Sequence, residues 1–274
     1  MDPVGALIRV SRGLSPPLAA RIDWMRERRH GSIALRILET LVRKGDHVVD
    51  IGASWGFYTW QLIRLVGSHG RVTAIEPNPE TLPSLSEIRG RRPNVVIHPV
   101  ALSDQTGEAE LHIPLLDDHE FSELGSMAVP RERAGVPHRS VRVRRERLDA
   151  LLGVADVAFI KCDVEGHELA VLRGADAILR RCQPALLIEI EQRHQAQGHI
   201  RDTFAHLASR GYLGYSVHEE GLRPLDEFDL EQDQLAFLGP QFMPYAMPTG
   251  YVHDFLFVGE SGDLAPLLAP PRSS

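Results

Sequence analysis

Four stretches of this chain bring carboxylates, glycines and histidines to the ends of short apolar runs. His47 to Phe57 reads H-V-V-D-I-G-A-S-W-G-F, with Asp50 two residues ahead of Gly52. Arg71 to Glu76 ends on a carboxylate, and Val157 to Glu168 ends D-V-E-G-H-E from Asp163. Pro184 to His194 ends on Glu189, Glu191 and His194. Small residues at a strand-to-helix turn let a ligand approach the backbone closely. A carboxylate ending the next strand can accept both hydroxyls of a ribose. An imidazole near neutrality can take a proton. Neighbouring strand-end carboxylates with a histidine could also hold a hard divalent cation.

Three readings compete for the turn Gly52-Ala53-Ser54-Trp55-Gly56. A dinucleotide turn wants G-x-G-x-x-G, and there is no glycine at 54 or 57. The serine-hydrolase elbow G-x-S-x-G is matched literally, with Ser54 as the nucleophile. That fold needs several strands and an oxyanion loop upstream, and only about fifty residues precede Ser54, without a His-Gly-Gly run. The third reading is the D-x-G-x-G-x-G turn that binds S-adenosylmethionine, with Ser54 in place of the middle glycine. It is preferred, with Asp50, Gly52, Ala53, Ser54 and Gly56 as its residues and Glu76 as the ribose acid.

These residues need strands to end them and helices to begin behind them. Val48, Val49 and Ile51 predict a buried strand, and Phe57 to Val66 a helix. Asn78-Pro79 reads as the start of a helix after the second strand. Val95 to Leu102 reads as a third strand, followed by the turn Ser103 to Gly107, which in such a fold lies beside an adenine. Glu108 to Ile113 alternates like a strand, so a hairpin turn is the alternative. Ser140 to Arg147 alternates valines with arginines. Further strands are expected at Val157 to Asp163, Pro184 to Ile190, Tyr212 to Val217 and Tyr251 to Val258. Helices are expected behind Glu168, around Ile200 to Leu207, at Ala19 to Arg28, and from Ser32 as a cap to Val42. Strands alternating with helices, then two final strands, predict an α/β doubly wound sheet, mostly parallel, with one late inserted antiparallel strand.

The 274 residues suffice for one large α/β domain, and a net charge of −7 gives no reason to expect nucleic acid or an anionic membrane as a partner. Cys162 and Cys182 match no metal spacing and read as reduced thiols of a cytoplasmic protein. No signal peptide or membrane span is expected, and nothing decides the oligomeric state. Residues 1–30 read as an N-terminal extension, 31–260 as the main domain and 261–274 as a flexible tail. A polar stretch at 114–147 reads as a lid or hairpin insertion, because loops that long are usually functional.

The ordered set of motifs resembles the FkbM family of S-adenosylmethionine-dependent methyltransferases, over roughly residues 30 to 258. The resemblance rests on Val49-Asp50-Ile51-Gly52-Ala53 with Gly56-Phe57-Tyr58-Thr59, on Ala74-Ile75-Glu76-Pro77 and on Val100-Ala101-Leu102-Ser103-Asp104. It continues through Ile160-Lys161-Cys162-Asp163-Val164-Glu165-Gly166-His167-Glu168 and the strand ending Glu189-Ile190-Glu191. The family often carries Asn where Ser54 stands and an aliphatic residue where Cys162 stands. The resemblance implies a class I methyltransferase, Rossmann-like sheet. It also implies methyl transfer, usually to a hydroxyl on a small molecule such as a polyketide, a sugar or another secondary metabolite. S-adenosyl-L-methionine is then the cofactor and S-adenosyl-L-homocysteine the product. Tyr58, Thr59, Pro77, Ala101, Ser103 and Asp163 join the expected cofactor site. His167 is the first candidate base, with Asp163 and His194 beside it and His253 a weaker one. Asp163 and Glu189 could hold Mg²⁺, but strand-end acids commonly cap helices, and the metal-free reading is preferred. The alternatives are a non-catalytic domain that binds the cofactor, and the hydrolase using Ser54.

Overall fold

The computed structural model describes residues 15–116, 119–120, 124–127, 129, 135–195, 198–238, 248–259, 264 and 267. Its main sheet is built on period-two alternation. In β1 (His47–Ile51) Val48 faces one side and Val49 the other, and both are fully buried. The same split runs through β8 (Phe159–Cys162), β9 (Ala185–Glu189) and β12 (Asp254–Gly259), so each strand feeds two cores. Val49, Ile160, Ile188 and Phe255 pack on one face with Leu172, Ile178 and Leu207; Val48, Phe159, Leu187 and Leu256 pack on the other with Ile37, Leu38 and Leu62. Burial on both faces explains why these strands read as unbroken apolar runs.

Element order, up to that sheet's far edge, starts with α1 (Pro16–Arg29) and α2 (Ile33–Leu41), which precede β1. After β1 come α3 (Phe57–Val66), β2 (Arg71–Ile75), α4 (Leu82–Arg89) and β3 (Val95–His98). The chain then makes a smaller sheet from β4 (Ala101–Leu102), β5 (Gly107–Leu116), β6 (His119–Glu120) and β7 (His138–Glu146). It returns through α5 (Leu148–Leu152) to β8, then α6 (Glu168–Gly174), α7 (Asp176–Cys182) and β9. Next are α8 (Ile200–Ala208), β10 (Tyr212–His218), β11 (Gly221–Pro224), α9 (Leu230–Asp233) and β12.

The eight-stranded sheet has the order β11-β10-β12-β9-β8-β1-β2-β3. β1 pairs in parallel with β2 and β8, while β12 runs antiparallel between β9 and β10. The late inserted strand is therefore as expected, in a doubly wound sheet that is otherwise mostly parallel. β11 adds an antiparallel edge strand that the sequence did not announce, because Gly221–Pro224 is short and carries no alternation.

Other elements differ from expectation. The run Val95 to Leu102 is not one strand: it breaks after His98, where Pro99 has no N–H to donate, and Ala101–Leu102 joins β7 in the smaller sheet. The helix expected at Asn78-Pro79 begins at Leu82, since Asn78 spends its side chain on the Glu80 N–H and its carbonyl on the Thr81 hydroxyl, a turn. Ser32 does cap α2, accepting from the Leu35 N–H at 3.5 Å. Helix α1 is docked rather than free: Trp24 meets Trp60 of α3 at 6.1 Å, and the Arg64 guanidinium lies over both rings. Most of the tail 261–274 lies outside the described residues, but Leu264 and Leu267 are buried beside Leu222 and Val258. Among the described residues no helix is long and apolar enough to cross a membrane.

Candidate functional site

The chain leaves β1 in one direction across the sheet and returns in the other at β8, and ligands bind in the crevice at such a switch point. A cavity of ≈ 300 Å³ opens there. Its floor is the turn after β1, where Gly52 has φ +76° and Ser54 φ +47°. The Ser54 N–H donates to Glu76 Oε2 at 2.7 Å, and the Asn78 N–H donates to Oε1 at 2.8 Å. Glu76 is thus aimed by two backbone donors and still has lone pairs for a ligand. Burial raises its pKa to about 7 against the pull of those two N–H groups.

Eight of the expected cofactor residues line this cavity: Gly52, Ala53, Ser54, Tyr58, Glu76, Pro77, Ala101 and Asp163. Asp50, Gly56, Thr59 and Ser103 lie behind the wall. Asp50 accepts the Thr59 hydroxyl at 2.5 Å, and burial raises its pKa to about 6. Gly56, at φ +91°, starts α3 where a Cβ would meet Ile88 Cδ1 at 2.5 Å. Ser103 Oγ contacts Asp104 and His167. Sequence reasoning missed the apolar walls Trp55, Leu111 and Met127. Nothing local marks them, because Leu111 and Met127 reach the cavity only through the second sheet and the segment 124–127. Ser126 ties that segment down by donating to the Glu165 carbonyl at 2.7 Å. Residues 117–118, 121–123, 128 and 130–134 of the expected lid lie outside the described residues.

Of the three expected catalytic residues, Asp163 and His167 line the cavity, and His194 lies behind it against Glu165. His167 Nε2 is 3.0 Å from Ser103 Oγ, on the side of the turn expected near an adenine, and burial lowers its pKa. His194 is buried between Glu165 at 3.2 Å and Glu191 at 3.6 Å. Glu191 would be raised by burial, but His194, Arg193 and the Tyr251 hydroxyl hold it at about 2. Asp163 stays at the cavity, its pKa raised by burial against the pull of Lys161.

Beside Asp163 stands a group the sequence reading did not assemble. Asp254 pairs directly with Glu189 across β12 and β9, and the Lys161 ammonium is 3.5 Å from Asp254 Oδ1. Lys161 also lies 5.0 Å from the Tyr58 ring centroid. His253 Nε2 is 3.8 Å from Asp254 Oδ2, and its Nδ1 has no hydrogen-bond partner among the described residues. Tyr58, His253 and Asp254 also line a second groove of ≈ 670 Å³, so Tyr58 stands between the two spaces. Two trios could coordinate a cation, Glu189-His253-Asp254 and Asp163-Glu165-Glu189, each with ligand atoms within 4.8 Å of one another.

Ser54 does not have a nucleophile's surroundings. Its Oγ is buried with no hydrogen-bond partner among the described residues, whereas an activated serine needs a base within reach.

A family model for the methyltransferase FkbM domain matches residues 50–213. The hexuronic acid methyltransferase AglP of Haloferax volcanii is 28% identical over 155 residues, which are 55% of this chain and 58% of that protein. The chain thus spans less than two thirds of that relative's length. Among solved structures, a methyltransferase FkbM from Methylobacillus flagellatus KT aligns at 18% identity and TM-score 0.49, over 78% of this chain and 43% of that one. Aeropyrum pernix fibrillarin with bound S-adenosyl-L-methionine aligns at 15% identity and TM-score 0.45, over 82% and 73%.

Proposed function

The chain belongs to the methyltransferase FkbM family, and from that premise we propose that it transfers a methyl group from S-adenosyl-L-methionine to a hydroxyl of a small molecule. The observation that carries this reading is the Glu76 carboxylate, held by two backbone N–H groups at the edge of the switch-point cavity. When bound, the cofactor supplies an electrophilic methyl on a sulfonium sulfur. The orphaned Ser54 Oγ and the close-set turn Gly52 to Ser54 fit its polar amino-acid end. Glu76 accepts from the ribose hydroxyls, and Leu111 with Met127 supplies an apolar wall for the adenine. Cytoplasm is the compartment this reading assigns, where cofactor is available and Cys162 and Cys182 stay reduced.

The acceptor enters from the second groove and meets the cofactor past Tyr58. A sugar-like acceptor fits the polar groove, and the Haloferax relative is named for a hexuronic acid. Of the histidines, His253 is the base this geometry favours. Its Nδ1 is buried without a hydrogen-bond partner among the described residues, so a turn of the ring towards the groove would bring it to the hydroxyl proton, with Asp254 beside the opposite nitrogen. With a hydroxylated acceptor that is turned over, His253→Gln should lower the rate roughly a hundredfold. His167→Gln should cost far less, and cofactor affinity should hold in both. Equal losses from the two variants would remove His253 from this role.

Calorimetry tests the cofactor site itself. Glu76→Ala should weaken S-adenosylmethionine binding by roughly 1–3 kcal/mol, the worth of one or two hydrogen bonds to a charged acceptor. Because burial raises the Glu76 pKa to about 7, the carboxylate is protonated below that pH and is the better acceptor above it. The advantage of wild type over Glu76→Gln should therefore grow as pH rises from 6 to 8. Unchanged affinity in folded Glu76→Ala protein would remove Glu76 from the site.

A further inference from the structure

We propose that Lys161 is the resident cation of the acceptor side, filling electrostatically the place of a divalent metal ion in a site that is otherwise built to bind one. The proposal rests on the reading of this region as the acceptor side of a methyltransferase, but its test does not need the acceptor.

The sheet itself builds the site. Lys161 and Glu189 lie on adjacent strands with the same facing as Leu187, and Asp254 is set opposite Glu189 by the β9–β12 register. Period-two alternation therefore turns these side chains towards α3 and Tyr58. Glu189, His253 and Asp254 offer two carboxylates and an imidazole within 4.8 Å of one another, and Asp163 and Glu165 approach Glu189 from the β8 side. Two ligand atoms on one Mg²⁺ stand at most about 4.2 Å apart, twice its bond length, so a small inward movement would complete the coordination. Acidic side chains at this density need positive charge, and the chain supplies its own. The Lys161 side chain is 1% exposed, its ammonium is 3.5 Å from Asp254 Oδ1, and the Tyr58 ring covers it at 5.0 Å. The ammonium thus stands between the Asp254 carboxylate and the face of the Tyr58 ring, two groups that each favour a cation.

Two consequences follow. A second cation beside the buried ammonium meets like-charge repulsion that bulk water does not screen away. The ammonium also fixes Asp254, which in turn steadies His253, so Lys161 acts as a positioning residue without touching the acceptor.

The experiment titrates Mn²⁺ into full-length protein, followed by the electron paramagnetic resonance signal of free Mn²⁺. Wild type should bind none at a few hundred micromolar. Lys161→Gln and the more apolar Lys161→Met should gain a single site at least a hundredfold tighter, and Glu189→Gln added to either should abolish it. If a Lys161 variant folds only with a divalent ion present, a rise in its melting temperature with Mn²⁺, absent in wild type, reads the same gain. Wild type binding Mn²⁺ in a manner lost in Glu189→Gln would overturn the proposal. So would folded Lys161→Gln and Lys161→Met proteins that acquire no site. S-adenosylmethionine calorimetry on the same samples keeps the two readings apart: a wild type that binds no cofactor sinks the methyltransferase reading and leaves the cation result standing.

Discussion

Gly52→Ala is expected to destabilise the protein by more than 4 kcal/mol and to abolish cofactor binding in whatever remains folded. A Cβ on Gly52 would lie 1.7 Å from the Asp163 carbonyl oxygen and 2.9 Å from its carbonyl carbon. Those atoms are backbone, so no rotamer change relieves the clash. The Asp163 N–H donates to the Ile51 carbonyl at 3.0 Å, which ties the two strand ends together beside the cavity. Making room means prising β8 from β1 at the switch point. The backbone at Gly52 is also left-handed, at φ +76°, which adds its own cost for any side chain. Gly45→Ala is the control: its φ is +94° but nothing lies within 4 Å of the new Cβ. It should cost only about 1–2 kcal/mol. Urea denaturation of both variants, with calorimetry on the folded fraction, separates strain from clash. Equal midpoints for the two would show that the close approach at Gly52 carries no weight.

The second large effect is expected at Arg193. Its guanidinium makes two hydrogen bonds to Glu191, whose side chain is fully buried, and Tyr251 donates a third. Arg193→Leu would leave a buried carboxylate with its main partner gone, a loss of about 3–5 kcal/mol. The sign of the pH dependence follows from the shift. Glu191 has a folded-state pKa of about 2 against an ordinary 4.5, so its pairing contributes stability above 4.5 that is lost as pH falls through 2. The contribution is on the order of 3 kcal/mol at neutral pH. In Arg193→Leu one of the groups that hold that pKa down is gone, so acid should neutralise the buried carboxylate at a higher pH than in wild type. The penalty of the substitution should then shrink between pH 7.5 and pH 4.5. Adding Glu191→Gln should recover part of the loss at neutral pH. A penalty that is the same at both pH values would mean that packing, not charge, is what Arg193 provides.

Glu191 and His194 have surroundings that no local pattern in the sequence announces. Both lie just beyond the end of β9, His194 in a tight helical turn, and both belong to the type of residue that does acid–base chemistry. The chain closes them into a buried network with Arg193, Glu165 and Tyr251, where they hold the end of β9 in place. His167 follows a strand-end acid as expected and then turns to Ser103.

What the sequence determined by itself was everything that local physics decides. Apolar runs with both faces buried gave the strands β1, β2, β8, β9 and β12. The spacing of small residues gave the turn Gly52 to Gly56. A carboxylate at the end of β2 gave Glu76. Each of these depends on a few consecutive residues and on one rule of periodicity or backbone geometry, so the cavity floor could be read almost complete. Only the tertiary structure decided the acceptor side. Asp254 is far from Glu189 along the chain, and it becomes a neighbour because β12 is inserted antiparallel between β9 and β10. Lys161 and Asp254 meet for the same reason, and Tyr58 covers them because α3 packs on that face of the sheet. Strand order and register are fixed by packing summed over the whole sheet, and no short stretch of residues carries that sum.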